Sequence, residues 1–458
     1  MRDFCVCFPS LIFGVILMST KTLFIAGAVL GLLVTPMVHA LAAAPAVNEP
    51  DLSVNSSSSA ALLSLPAVLE RALQTSPELS AYTEETRARA AEISQIARFI
   101  NPELAIELAN VAGSGAYSGF DVAETTLQLS QQIELGNKRQ LRRGLTELEH
   151  DRALRALEVA RMDVQARIAR HFWMLLGAQE RLTLADEQVA LATQTLAVVE
   201  EKIAAGRAPN VEKYRFQSAL AEARLDREKA MLTLTSTRQT LAENLGFEEV
   251  ELGRAVGDLS RLPLLPAYAE IQAQLGQSPE IARRQLESEA KRRDLALARA
   301  NRLVDPTLAL GLRHYNESDD NALIFGFSLP LPLFDRNQGN VQAATHRLAA
   351  AQAQEVSGLI QGRAGLTESW QSLAASTAEA QVLREQIIPS AQQTYEAASY
   401  GYQSGKFGVL EVRDAQRNLV EVRGRYLDVL LTAQLAAVEL QQILGQAPLS
   451  GRDQFEKD

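Results

Sequence analysis

Apolar positions recur along this chain with two different periods. Leu182, Val189, Leu196 and Ile203 repeat every seven residues, beside a second row of Ala178, Ala185, Ala192 and Val199. Val412, Leu419, Tyr426, Ala433 and Leu440 do the same, beside Ala415, Val422, Val429, Ala436 and Ile443. Heptad rows rich in alanine predict closely packed coiled-coil helices. Four short segments alternate every second residue instead. Leu104, Ile106 and Leu108 oppose Ala105, Glu107 and Ala109, and Leu127, Leu129 and Ile133 oppose Gln128, Ser130 and Gln132. Leu308, Leu310 and Leu312 oppose Thr307, Ala309, Gly311 and Arg313. Leu323, Phe325, Phe327, Leu329 and Leu331 oppose Ile324, Gly326 and Ser328. This alternation predicts strands near 104–110, 124–133, 307–315 and 322–331, apolar on one face. About nine or ten residues suit a tilted strand crossing a bilayer.

The two patterns occur twice, in the same order. Ser76-Pro77-Glu78-Leu79 returns as Ser278-Pro279-Glu280-Ile281, and Asn101-Pro102 as Asp305-Pro306, at offsets of 202 and 204. Leu127 to Ser130 returns as Phe325 to Ser328 at 198, and Ala205-Gly206 as Ser404-Gly405 at 199. Asn244-Leu245-Gly246 returns as Ile443-Leu444-Gly445, again at 199. Five ordered matches at nearly constant offset mark a duplicated unit. The units are 65–247 and 266–446, joined by a linker over 248–265 and followed by a tail over 447–458. Each unit is expected to run helix, strand pair, very long helix, helix. Lys138 to Ala204 contains no proline, which predicts a helix of roughly 65 residues, ~100 Å long. Gly206 and Pro209 end it before a second helix from Asn210. The second unit repeats this with a helix from Asn340 to Gln403, a break at Gly405 and Gly408, and a helix from Val409.

Composition narrows the setting. The 458 residues carry 45 Lys+Arg against 55 Asp+Glu, a formal charge of -10, without basic clusters interleaved with aromatics. A nucleic-acid partner is therefore not expected. The two cysteines, Cys5 and Cys7, and five scattered histidines form no disulfide framework and no zinc-ligand spacing, so no cofactor is implied. Residues 1–40 hold Lys21, an apolar stretch from Leu23 to Val34 and small residues after it, the pattern of a secretory signal peptide. Residues 41–64, rich in Ala, Pro and Ser, are expected to form a flexible arm. Past Val34 no run reaches the ~18 apolar residues of a membrane helix, so a crossing must use strands.

Four strands are too few to close a membrane barrel, and an open edge in lipid leaves backbone groups unpaired. Closure therefore requires copies, and three chains in a ring supply twelve strands. Period-two segments also occur in soluble sheets, and the helices alone fit a structural coiled coil without a channel.

The signal peptide, the duplicated strand-pair-plus-long-helix unit and the glycine-centred breaks resemble the TolC-like outer-membrane efflux family over roughly residues 62–446. Ile133-Glu134-Leu135-Gly136-Asn137-Lys138-Arg139 and the run Leu329-Pro330-Leu331-Pro332-Leu333-Phe334-Asp335-Arg336-Asn337-Gln338-Gly339-Asn340 resemble its CzcC-like heavy-metal subgroup. The resemblance implies a mainly α fold with a membrane β-barrel: a homotrimer forming a 12-stranded barrel in outer-membrane lipid and an α-helical tunnel in the periplasm. It also implies two partners, a periplasmic adaptor and an inner-membrane pump of the resistance-nodulation-division class. The implied role is a non-enzymatic exit duct for heavy-metal cations. A duct for drugs or type I secretion, or a non-channel envelope scaffold, remains an alternative.

In that family the far helix breaks form the aperture. The resemblance places Tyr402 at the gate constriction, and Glu411 and Asp414 where paired acids ring the pore. Glu411 and Asp414, three apart, share one helix face, and three copies would focus negative charge on one axis. The competing reading is a solvated helix start, where acids favour the dipole. Glu212 is the first-unit counterpart at the aperture. Phe407 stands where the prototype has its gate arginine, so that polar latch is not carried over. Adaptor contacts are expected at Gly206, Arg207 and Pro209 and at Gly405, Lys406 and Gly408. Lys138, Arg139, Arg142 and Arg143 form a basic patch just below the barrel, expected on a solvated face, with contact to acidic lipid head groups or lining of the tunnel mouth as the alternatives.

Overall fold

A computed structural model describes residues 62–246 and 253–448. The expected signal peptide and most of the expected arm lie outside the described residues. The end of the arm differs from expectation: Leu63–Ser64 is a short strand, β1, paired in parallel with β4 (Ala255–Val256) of the linker.

The first unit continues with α1 (Leu65–Thr75) and α2 (Pro77–Ile96), separated at Ser76, whose hydroxyl accepts from the Leu79 amide. Pro77 occupies the first helical position, where no amide hydrogen is needed. Strands β2 (Glu103–Ala109) and β3 (Glu124–Gln132) follow, then α3 (Lys138–Ala204) and α4 (Asn210–Leu245). The second unit holds α5 (Tyr268–Leu275), α6 (Pro279–Ala300), β5 (Thr307–Tyr315), β6 (Asp320–Ser328), α7 (Gln338–Val382), α8 (Ile388–Gln403) and α9 (Val409–Leu444). α3 is one continuous helix of 67 residues.

Its counterpart is not continuous. A π turn over Leu383–Ile387 separates α7 from α8. Pro389 explains the break: it offers no N–H to the carbonyl four residues back, and its ring needs the wider turn. The first unit has no proline at the matching place. β6 also ends earlier than the expected 331, at Ser328, because Pro330 and Pro332 cannot donate to a ladder.

The strands form one antiparallel sheet in the order β2-β3-β5-β6. Register aligns Leu104, Leu129, Leu310 and Phe325 in one row, and Ile106, Leu127, Leu312 and Leu323 in the next. Both rows lie on one face, and that face is bare: Ile106 is 68% exposed, Leu323 71% and Phe325 72%. The opposite face carries Glu103, Ser130, Ala309 and Gly326 in one row and Glu107, Thr126, Arg313 and Ala322 in another. An apolar face of this size suits lipid rather than water.

Below the sheet, α3 packs against α2, α4, α6 and α9. The main core gathers Leu65 and Val68 of α1, Ile168, Phe172 and Leu175 of α3, Leu241 of α4 and Leu430 of α9. A second core joins α5, α7 and α9 through Leu275, Leu366 and Leu440. The alanine rows lie inside: Ala178, Ala185 and Ala192 are buried. α9 is the one described helix long and apolar enough to span a membrane by composition, yet half of its apolar stretch is covered by neighbouring helices.

The expected basic patch is resolved into separate contacts. Lys138 is buried, and its Nζ donates to the Leu303 carbonyl at 2.6 Å and to Asp305 Oδ1 at 2.7 Å. Asp305 also accepts from the Leu135 amide at 2.8 Å. Arg142 pairs with Glu134 at 2.6 Å, and Arg139 stacks 3.8 Å over the Phe99 ring. Only Arg143, paired with Glu147, sits on an open face as expected for all four. Lys138 departs from that reading because the β5 start, remote in sequence, supplies a carboxylate and a carbonyl to hold it.

Candidate functional site

The two helical hairpins end in turns of the same construction. Gly206 follows α3 at φ 69°, and Gly405 follows α8 at φ 74°. At the first tip the Arg207 amide bonds the Lys202 carbonyl (2.8 Å) and the Gly206 amide that of Ile203 (2.9 Å). At the second, Lys406 bonds Gly401 (2.8 Å) and Gly405 bonds Tyr402 (3.0 Å). This is the Schellman pattern, which caps the last carbonyls and needs a residue tolerating positive φ. α4 then starts after Pro209 and α9 after Gly408. Gly206, Arg207, Pro209, Gly405, Lys406 and Gly408 are all exposed.

The acids behave differently in the two hairpins. Glu212 and Glu411 are each the third residue of their helix, where the N-terminal dipole favours a negative charge. Glu212 Oε2 accepts a hydrogen bond from the Tyr402 hydroxyl at 3.1 Å. Tyr402 itself is buried among Val199, Phe216, Ala398, Val409, Val412 and Ala415, a core that joins both tips. Burial, then the adjacent Glu212 carboxylate, pushes the Tyr402 phenol up to about 12. Glu411 and Asp414 are exposed, and among the described residues neither has an ion-pair partner. The fold thus brings Tyr402 and Glu212 together and leaves Glu411 and Asp414 exposed on α9. The repeat explains the difference: the residue matching Tyr402 in α3 is Ile203, which has no hydroxyl to offer.

Lys202 completes the cluster and was not singled out from the sequence. Its Nζ donates to the Tyr402 carbonyl and sits 3.8 Å from the centre of the Tyr402 ring. A lysine in the last turn of a helix is the available sequence signal, since cations favour that end. Lys213 and Glu200 add a 3.0 Å pair within the first hairpin. Phe407 lies against Gly401, where a Cβ would overlap its ring. The arrangement holds two helix pairs together at one end and presents unpartnered carboxylates beside that junction.

Comparison with known proteins identifies the family. The model of a family described as outer membrane efflux protein matches residues 68–247 and 271–446. The cobalt-zinc-cadmium resistance protein CzcC of Cupriavidus metallidurans is 32% identical over 84% of this chain and 90% of its own. The nickel-cobalt-cadmium resistance protein NccC of Alcaligenes xylosoxydans xylosoxydans is 26% identical over 62% of this chain and 64% of its own. Among solved structures, CusC superposes with a TM-score of 0.72 at 19% identity, covering 83% of this chain and 92% of that one. The outer membrane protein VceC of Vibrio cholerae gives 0.71 at 20% identity, covering 84% and 97%.

Proposed function

The chain belongs to the outer membrane efflux protein family, and on that premise we propose that it is the exit duct of a tripartite resistance-nodulation-division system for heavy-metal cations. The observation that carries this reading is the four-stranded sheet with a bare apolar face and two open edges, set on helices far too long for a compact soluble domain. Three copies supply twelve strands, enough for a closed barrel, and their helices continue it as a periplasmic tunnel. The duct carries out no covalent chemistry; an inner-membrane pump supplies the energy. A periplasmic adaptor docks on the exposed tips around Gly206–Asn210 and Gly405–Val409, where a second coiled coil has access. Glu411 and Asp414 face the axis there and favour cations over anions.

Metal cargo is supported by the likeness to CzcC, whose name records cobalt, zinc and cadmium resistance. The test is tolerance to zinc, cobalt, cadmium, copper and silver in a strain lacking this gene, with and without the gene restored. Loss of tolerance to at least one cation, recovered on restoration, is expected. Unchanged metal tolerance with new sensitivity to drugs or failed protein secretion would favour the duct for those cargoes.

A further inference from the structure

The internal repeat fixes how this sheet meets a second copy. An offset of 204 carries Asn101-Pro102 to Asp305-Pro306, and so β2 onto β5. An offset of 198 carries Ser130 to Ser328, and so β3 onto β6. The hairpins themselves verify these two values. Applied to the observed pair Glu103–Ser130, they return the observed pair Thr307–Ser328.

Within this sheet the remaining seam joins β3 to β5. Its repeat image is β6 against β2, the two open edges of the sheet. Four strands cannot curl far enough to join those edges in one chain, so the image seam needs a second copy. The observed pair Ser130–Ala309 maps onto Ser328–Ala105, the same two residue types. Gln128–Gly311 maps onto Glu107–Gly326, again a glycine opposite a long polar side chain. Leu129–Leu310 maps onto Phe327–Ile106 and Leu127–Leu312 onto Phe325–Leu108, which keeps the apolar face unbroken. A slip of one residue would set apolar-face against polar-face positions. A slip of two would set Ser328 opposite Glu103 or Glu107 and lose the serine–alanine and glycine–polar matches.

The image differs from its template in charge. Inside the chain, Arg313 Nε donates to Thr126 Oγ1 at 2.9 Å, Arg313 pairs with Glu124 at 3.0 Å, and Lys138 holds Asp305. The corresponding strand positions across the image seam are Ala109 against Ile324 and Ala322; at the helix starts, where Asn137 and Asn337 share φ 58° and align at an offset of 200, Gln338 stands for Lys138 and faces Asn101. We infer that β6 of one protomer pairs antiparallel with β2 of a second copy, Ser328 opposite Ala105 and Phe327 opposite Ile106, in a seam without charge pairs. Backbone hydrogen bonds and the apolar rows hold this seam, whereas ion pairs reinforce the one inside each chain. The inference rests on the exit-duct reading for the identity of the occupant and adds its register.

Paired cysteines test it in the full chain with Cys5 and Cys7 changed to Ser. One protein carries Ser328→Cys with Ala105→Cys, another Phe327→Cys with Ile106→Cys. Antiparallel ladders alternate hydrogen-bonded and non-hydrogen-bonded pairs, so one of the two pairs has the close spacing a disulfide needs. Ser130→Cys with Ala309→Cys and Leu129→Cys with Leu310→Cys are the intrachain templates and report that the sheet has formed. Mild oxidation of detergent-extracted protein is expected to convert most of the single-chain band to multi-chain bands at whichever image pair has a template that closes. Ser328→Cys paired with Glu103→Cys or Glu107→Cys is expected to stay single-chain. Cross-linking at a shifted pair, or at none while the native mass still shows several copies, overturns the register and leaves the duct standing. A single-copy native mass overturns both.

Discussion

The Tyr402 hydroxyl donates to the Glu212 carboxylate at 3.1 Å, tying the end of α8 in the second unit to the start of α4 in the first. Lys202 locks the same tyrosine from α3 by bonding its carbonyl and lying on its ring. Three helix ends therefore meet on one side chain.

Tyr402→Phe keeps the ring in its core and removes only the donor. A typical hydrogen bond of this kind contributes about 1 kcal/mol. The expected result is a small drop in thermal stability together with a raised leak conductance in planar bilayers. Glu212→Gln, which keeps an acceptor oxygen, is expected to retain more of the closed state. Equal conductance in Tyr402→Phe and the parent protein would remove this bond from the gate.

The same contact sets a pH dependence. Burial, then the adjacent Glu212 carboxylate, pushes the Tyr402 phenol from its ordinary 10.0 up to about 12. A raised folded pKa means that the contribution is fully present below the unfolded value and is lost as pH climbs through the folded one. The tip is thus expected to be insensitive to this group between pH 6 and about 9, and to loosen between about 10 and 12. Comparing the parent with Tyr402→Phe by alkaline thermal denaturation checks this: the difference between them should shrink across that window and stay flat below it.

Lys138 and Asp305 make a different kind of contact, buried and between the two units. Removing one partner of a buried pair leaves a charge in low dielectric, at a cost of about 3–5 kcal/mol. Lys138→Ala is therefore expected to reduce folded protein strongly. Combining Lys138→Met with Asp305→Leu removes both charges and is expected to recover part of the loss. Yield and melting temperature of the three proteins in detergent decide it.

Glu411 and Asp414 supply the remaining prediction. Their exchange for Gln and Asn removes up to six negative charges from a three-copy aperture while leaving α9 intact. Cation over anion permeability, read from reversal potentials in a salt gradient, is expected to fall toward unity. An unchanged reversal potential would assign both residues to the outer surface of the tips.

Much of this architecture was legible because it rests on local signals. Period-two alternation marks the strands, the absence of proline marks α3, and Gly206 and Gly405 mark the turns. The repeat added long-range order, since Asn101-Pro102 and Asp305-Pro306 announce matching strand starts. Contacts between distant segments were not legible. Lys138 read as part of a solvated patch because nothing local reveals the Asp305 carboxylate beside it. Lys202 escaped notice for the same reason, its partner being the Tyr402 carbonyl on another hairpin. Pro389 falls inside the segment that the sequence predicts as one helix from Asn340 to Gln403, and a π turn over Leu383–Ile387 accommodates it.

The central claim is a hollow conduit built from several copies, and electron micrographs of the purified, detergent-extracted protein test it most directly. The account predicts three-fold end views with a central density minimum, and side views showing a detergent-covered barrel with a helical stem roughly 100 Å long. A solitary rod, or a particle that stays dispersed in water with no detergent belt, would contradict it.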